Sequence, residues 1–231
     1  MRFLAWVTTA VLLAGSMATA QETALRQITV TGEGRVAAAP DMATLRLGAA
    51  AEAKEAGEAL RQTSDITQRI LDRLGEAGIE ARDIQTSGLS LSPLRQNYRE
   101  GTAETPGIAG YAASNGVTVR LRDLDRLGEV LDAVVSDGAN TLDGLSFGLQ
   151  EPRPLMDEAR QLAVADARAK AELYAKAAGV TLGAVQSLVE RGGGSPGPYM
   201  AEMSMARGSV PVAAGELDVS ADVQIVYEIA D

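Results

Sequence analysis

The order in which the hydrophobic period changes along the chain constrains the fold more than any other feature. MATLRLGAAAEA (Met42–Ala53) puts Leu45 and Leu47 on one face and Arg46 on the other, the alternation of a strand. From Glu55 to Ala77 the spacing switches to steps of three and four. Ala56, Leu60, Thr63, Thr67, Ile70, Leu74 and Ala77 then make one helical stripe. Gly78 stands where a left-handed residue ends a helix, with Ile79 behind it to close the end. DIQTSGLSLSPLRQNY (Asp83–Tyr98), bent at Pro93, and IAGYAASNGVTVRL (Ile108–Leu121) read as a long hairpin around the polar turn Arg99–Gly107. Asp123 is placed to cap a second helix, striped by Leu124, Leu127, Leu131 and Val134 and ended by Gly138. TLDGLSFGLQ (Thr141–Gln150) is the next strand. This β-α-β-β-α-β order is that of the split-βαβ, or ferredoxin-like, unit.

The flanks add a second unit. Ile28–Ala38 alternates as a strand and turns at Pro40-Asp41. Pro152 and Pro154 open a third helix that runs to Ala178 and stops at Gly179. Its Asp166/Lys170 and Glu172/Lys176 pairs have the acid-first i,i+4 order of a solvated face. Gly183–Arg191 and Glu216–Ile229 are the last strands. The expectation is an α+β domain over 21–231. A ferredoxin-like unit spans about 42–150, and an αββ unit over 151–231 pairs with the strand at 28–38. Three helices pack on antiparallel or mixed sheet, which is either continuous or divided. Gly192–Gly215, rich in Gly, Pro, Ser and Met and without periodicity, reads as a flexible hairpin loop. A repeat accompanies this order. Leu71-Asp72 through Gly78 matches Leu131-Asp132 through Gly138, and Gly88-Leu89-Ser90 matches Gly144-Leu145-Ser146.

The first twenty residues have a different purpose. Met1-Arg2 is a positive start, Phe3–Ala14 is an apolar run too short to span a bilayer, and Ala18-Thr19-Ala20 is an A-x-A site before Gln21. They predict a signal peptide cleaved between Ala20 and Gln21, and a periplasmic product. Removing it takes away one Arg, so 20 basic residues face 31 acidic ones, a formal charge of −11. Such a surface repels nucleic acid and opposes close approach of copies at low salt.

The side-chain inventory removes most catalysts. The chain has no His and no Cys. That excludes Ser-His-Asp and Cys-His catalysis, disulfides, lipid attachment through a Cys thiol, and thiolate or imidazole metal sites. Asp157-Glu158 and Asp123/Asp125 are the closest acid clusters, and both sit at helix N-termini, where acids complement the dipole. Gly32-x-Gly34 and Gly192-Gly193-Gly194 lack the helix start and Lys-Ser/Thr of a phosphate loop, and read as turn and bulge glycines. Ser114-Asn115-Gly116 reads as a polar bulge. Met200, Met203 and Met205 form the one unusual cluster: thioethers that select Cu(I), or adaptable contact surface.

Several separated motifs share a family look. They are ITVTGEGRVAAAPDMATLRLG (Ile28–Gly48), Asp83-Ile84-Gln85-Thr86, SNGVTVRLRDLDRLGEVLDAVVSDGANTLDGLSFGLQ (Ser114–Gln150) and ARQLAVADARAKAELYAKAAGVTLGAVQSLVE (Ala159–Glu190). In this order they resemble the SIMPL-domain family over nearly the whole chain after the leader. The resemblance implies an exported, periplasmic or outer-membrane-associated protein, often immunogenic and linked to oxidative-stress defence, with no established catalytic residues. The resulting expectation is a non-enzymatic, self-associating homo-oligomer of the periplasm without cofactor or nucleic-acid partner. A Met-loop Cu(I) carrier and a carboxylate-dependent hydrolase are the alternatives.

Overall fold

The computed structural model describes residues 26–96, 107–193, 197–199 and 212–230. The elements are β1 (Gln27–Ala38), β2 (Met42–Ala53), α1 (Ala56–Glu76), β3 (Ile84–Arg95), β4 (Ile108–Leu121), α2 (Leu127–Ser136), β5 (Thr141–Gly148), α3 (Arg153–Ala178), β6 (Thr181–Gly193), β7 (Gly197–Tyr199) and β8 (Glu216–Ala230). They form an α+β fold with two separate sheets, not a continuous one. Sheet I has the order β3-β4-β2-β5, so that β4 lies between β2 and β3. Sheet II has the order β1-β8-β6, with β7 also pairing β8. Every pairing is antiparallel.

Helices α1 and α2 cover one face of sheet I. Ala43, Leu45 and Leu47 of β2, and Val117, Val119 and Leu121 of β4, bury against Ile70, Leu74, Val130 and Val134. The stripe of α1 differs from the one expected. Its buried row is Ala59, Thr63, Thr67, Ile70 and Leu74, while Ala56 and Leu60 are only partly buried. A larger side chain at position 60 suggests burial, but the row four residues before Thr63 belongs to Ala59. The two buried threonines are satisfied within the helix, donating to the carbonyls of Ala59 and Thr63 at 2.7 and 2.8 Å. In α2, Asp123 accepts from the Asp125 N–H and so caps the 3-10 turn Leu124–Arg126 that precedes the helix. Val130 joins Leu127, Leu131 and Val134 in the core, and Leu124 stays at its margin. Gly78 and Gly138 both follow their helices with φ of 77° and 105°. The repeat thus marks two equivalent places: each helix ends at a left-handed glycine and leads into an edge strand of sheet I. Each edge strand is irregular near its Gly-Leu-Ser, with register shifts between Ser87 and Ser90 and beside Gly144.

Helix α3 covers one face of sheet II with an unbroken row of alanines at steps of four, Ala159, Ala163, Ala167, Ala171 and Ala175. A row at i+4 is inclined to the helix axis, so small side chains along it let the helix cross twisted strands at close range. Gly32 and Gly34 receive it. A Cβ on Gly32 would lie 2.0 Å from the Ala163 carbonyl oxygen, and one on Gly34 would lie 1.9 Å from that of Ala159. These are therefore close-approach glycines in a regular strand, not turn or bulge glycines, since β1 pairs β8 without a register shift. The helix also closes the outer edge of β1. Asp166 Oδ2 accepts from the Glu33 N–H at 2.9 Å, and Lys170 Nζ donates to the Thr31 carbonyl at 3.1 Å. The pair expected on a solvated face thus blunts a strand edge as well as bridging itself at 2.7 Å. Glu172 pairs with Arg168, not Lys176.

A polar knot sits where the chain passes between the sheets. Gln150 donates its backbone N–H to Asp41 Oδ1 at 2.7 Å, and its Nε2 donates to the carbonyls of Asp41 and Arg122. Arg122 in turn donates twice to Asp83, at 2.6 and 2.8 Å. Asp83 is only 4% exposed. Val212, just before β8, packs against the core of sheet I and ties the last strand to it.

These contacts set the outcome of four substitutions. Gly34→Ala should lower stability by about 3 kcal/mol or more in chemical denaturation, because the helix must retreat from a side chain it cannot accommodate. Gly75→Ala, where an added Cβ meets nothing within 4 Å, should be neutral or stabilise by about 0.5–1 kcal/mol. Leu131→Asp, at a position 6% exposed, should abolish the cooperative melt seen by circular dichroism. Finally, hydrogen bonds from Arg122 hold the Asp83 carboxyl below its ordinary range, against burial, which pushes it up. A depressed folded value means this stabilisation is complete above the unfolded value of about 3.9 and lost as pH falls through the lower folded one. Asp83→Asn should destabilise at neutral pH and flatten the acid limb of a stability–pH profile.

Candidate functional site

The structure does not assemble the acid clusters into a catalytic pair. Asp157 is bound by Arg160 at 2.8 Å within the first turns of α3, and Glu158 is exposed beside it. Asp123 and Asp125 are joined through the capping contact. Among the described residues, no group of three or more acidic side chains is placed to hold a metal ion. Gly192, next to last in β6, has a φ of 61°, and Gly197–Tyr199 form a short strand inside the segment read as a loop. Ala20, Gln21, Met200, Met203 and Met205 lie outside the described residues. Ser114-Asn115-Gly116 is not a bulge in β4, which runs unbroken against β2. The irregularity is in β3 opposite it, where Gly88 and Leu89 stand against the single residue Asn115 and Gly88 takes a φ of 78°. Asn115 Oδ1 is buried without a hydrogen-bond partner.

What the fold does build is a pair of open sheet faces. Strand alternation sends the residues between the buried positions of β2 and β4 to the side of sheet I away from its helices. Thr44, Arg46, Gly48 and Ala50 emerge there, with Ser114, Gly116, Thr118 and Arg120. The adjoining strands add Gln85, Ser87 and Ser90 from β3 and Ser146 from β5. The hydroxyls bond one another: Ser90 with Ser114 at 2.7 Å, and Thr118 to Ser87 at 3.1 Å. Gly48 and Gly116 keep this face shallow, because a Cβ would fall 2.4 Å from the Asn115 carbonyl or 2.2 Å from that of Ser87. Arg46 lies opposite Thr118 and Arg120 opposite Thr44, so the two cations are diagonal neighbours. Both are exposed and neither pairs with a described carboxylate. In contrast, Arg61, Arg73, Arg122, Arg160 and Arg168 all engage acids of the chain itself.

Sheet II has the opposite character. Away from α3, Glu33 and Arg35 of β1 and Asp218, Ser220 and Asp222 of β8 line a depression of about 250 Å³. Glu33 stands opposite Asp222, and Arg35 opposite Ser220. Arg35 turns to Glu33 at 3.3 Å. Asp218 and Asp222 make no ion pair with the described residues. The chemistry available on these faces is charge and hydrogen bonding, since the paired hydroxyls have no basic side chain among their bonded partners to activate them. Arg46, Arg120, Asp218 and Asp222 were not singled out from sequence. Their alternation within strands was visible, but not which face the helices would leave bare.

Comparison with known proteins agrees with the motif pattern. The family model described as SIMPL, protein of unknown function (DUF541), matches residues 28–227. The 26 kDa periplasmic immunogenic protein of Brucella melitensis is 39% identical over 221 residues, covering 88% of this chain and 84% of the relative. The uncharacterized protein YggE of Edwardsiella ictaluri is 34% identical over 161 residues, 70% of this chain and 66% of its own. YggE of Escherichia coli K12 is 31% identical over 161 residues, 70% and 64% respectively. With a family match across both sheets and relatives of this identity and coverage, the chain belongs to the SIMPL family.

Proposed function

We propose that the chain is an exported, non-enzymatic periplasmic protein that self-associates and contributes to envelope and oxidative-stress homeostasis. The observation that carries the reading is that each sheet is covered by helices on one face only. Among the described residues, two polar faces, one with arginines and one with aspartates that form no ion pair, are thereby left open for contact. Export is supported by the leader pattern before Gln21 and by the word periplasmic in the name of the Brucella relative. The oxidative-stress role draws on the family resemblance and on a chemistry that needs no catalyst. Methionine oxidises stoichiometrically, and Met200, Met203 and Met205 supply a concentrated thioether sink.

N-terminal sequencing of the periplasmic fraction should return a chain beginning at Gln21, and an intact Met1-Arg2 would refute export by cleavage. Sedimentation of that mature protein should show assembly that grows with concentration; a monomer throughout would end the self-association reading. Peroxide added in excess should be consumed only to the extent that methionine becomes sulfoxide. Multiple turnovers without added metal would make the protein an enzyme and overturn the proposal.

A further inference from the structure

We infer that the open face of sheet I, at Arg46 and Arg120, docks a second copy of the chain through that copy's open face of sheet II, at Asp218 and Asp222, so that copies join head to tail. The inference rests on the self-association proposed above and names the surfaces that carry it.

Three observations converge on this pairing. The first is charge. In a chain of net charge −10, Arg46 and Arg120 stand beside each other with no salt bridge to a described carboxylate, the nearby Asp83 being held by Arg122, on strand segments whose outward residues are otherwise Thr, Ser, Gly and Ala. The matching charge lies on the other open face of the same molecule, where Asp218 and Asp222 form no ion pair with the described residues and Glu33 faces Asp222. The second is shape. Glycines at positions 48 and 116 flatten the cationic face, and the acidic face is recessed, so projecting guanidiniums meet a depression of about 250 Å³. Diagonal neighbours on a sheet are about 7–8 Å apart. Asp218 and Asp222, four residues apart on one strand, are separated by about 13 Å. The long arginine stems let the two guanidiniums splay to that spacing. The third is that three of the four sheet edges offer poor alternatives. The outer edge of β1 is closed by Asp166 and Lys170, β3 is interrupted at Gly88-Leu89, and β6 shifts register three times against β8.

Two different surfaces make a heterologous contact, which propagates into a ring or a filament and does not stop at a symmetric dimer. Its salt dependence also has a definite sign. A contact carried by unlike charges weakens as salt screens them, whereas an apolar contact opposed only by the net charge strengthens.

The test is sedimentation velocity of the mature chain in NaCl from about 50 to 500 mM, a range over which the screening length falls severalfold toward contact distances. It includes Arg46→Ala/Arg120→Ala and Asp218→Asn/Asp222→Asn double variants, each checked for an unchanged melt. Wild type should assemble at low salt and dissociate as salt rises. Each double variant alone should need roughly tenfold or more protein to assemble. An equimolar mixture of the two should form one-to-one dimers and nothing larger, since each lacks one of the two faces. Assembly of both variants like wild type, a mixture that stays monomeric, or assembly that strengthens with salt would overturn this inference while leaving self-association intact. A monomeric wild type at every salt would overturn both. Binding of wild type to phosphatidylglycerol vesicles that Arg46→Ala/Arg120→Ala abolishes, with assembly untouched, would assign the cationic face to a lipid surface and also overturn it.

Discussion

The closeness of α3 to β1 is the constraint on which the second half of the molecule depends. Alanine at every fourth position of the helix and glycine at positions 32 and 34 of the strand bring two backbones together where a single methyl group would intrude on a carbonyl oxygen. That closeness has further consequences. It brings Asp166 and Lys170 within reach of the free edge of β1, which they close. It also commits the glycine side of β1 to the helix, so that Glu33 and Arg35 must emerge on the far side, next to Asp218 and Asp222 of β8. The acidic recess is thus a by-product of where the glycines face.

Sheet I is built by a different device. Its core is made of larger side chains, Leu45, Leu47, Ile70, Leu74, Val117 and Val119, which fill the space between strands and helices. Its edges are shaped by polar groups. Asn140 extends the β2–β5 ladder with its side-chain amide, accepting from the Ala50 N–H at 2.7 Å and donating to the Ala50 carbonyl at 2.8 Å. A backbone partner is thereby replaced by a side chain where β5 begins. The segments that cross between the sheets are tied to sheet I through Asp41, Gln150, Arg122 and Asp83, a set of hydrogen bonds that includes a nearly buried carboxylate. Such a cluster is costly to leave half made, which favours a single arrangement of the connecting segments.

The elements were legible in the sequence because they depend on local periods and local chemistry. The alternation in LDVSADVQIVYEI, the left-handed glycines at 78, 138 and 179, and the prolines at the start of α3 all act within a few residues of themselves. Misreadings occurred where a residue answers to something distant. Gly32 and Gly34 looked like turn glycines because nothing nearby reveals a helix more than a hundred residues later. Asp166 and Lys170 satisfy the i,i+4 rule of an exposed helix while also bonding strand backbone. Asp83 opened a predicted strand, and its partner Arg122 follows the end of another; only the pairing of β3 with β4 brings them together.

By itself the sequence determined the α+β class, the order of helices and strands, the absence of thiol and imidazole chemistry, and the strongly acidic balance, because each follows from composition or from spacing along the chain. Only the tertiary structure decided that the strands divide into two sheets and that, among the described residues, each sheet keeps one face free of helices, one with arginines and the other with aspartates that form no ion pair. Strand periodicity assigns side chains to two faces but does not say which face a helix will cover. That choice is made by long-range packing, through a row of alanines meeting two glycines and a leucine-valine core closing under two helices.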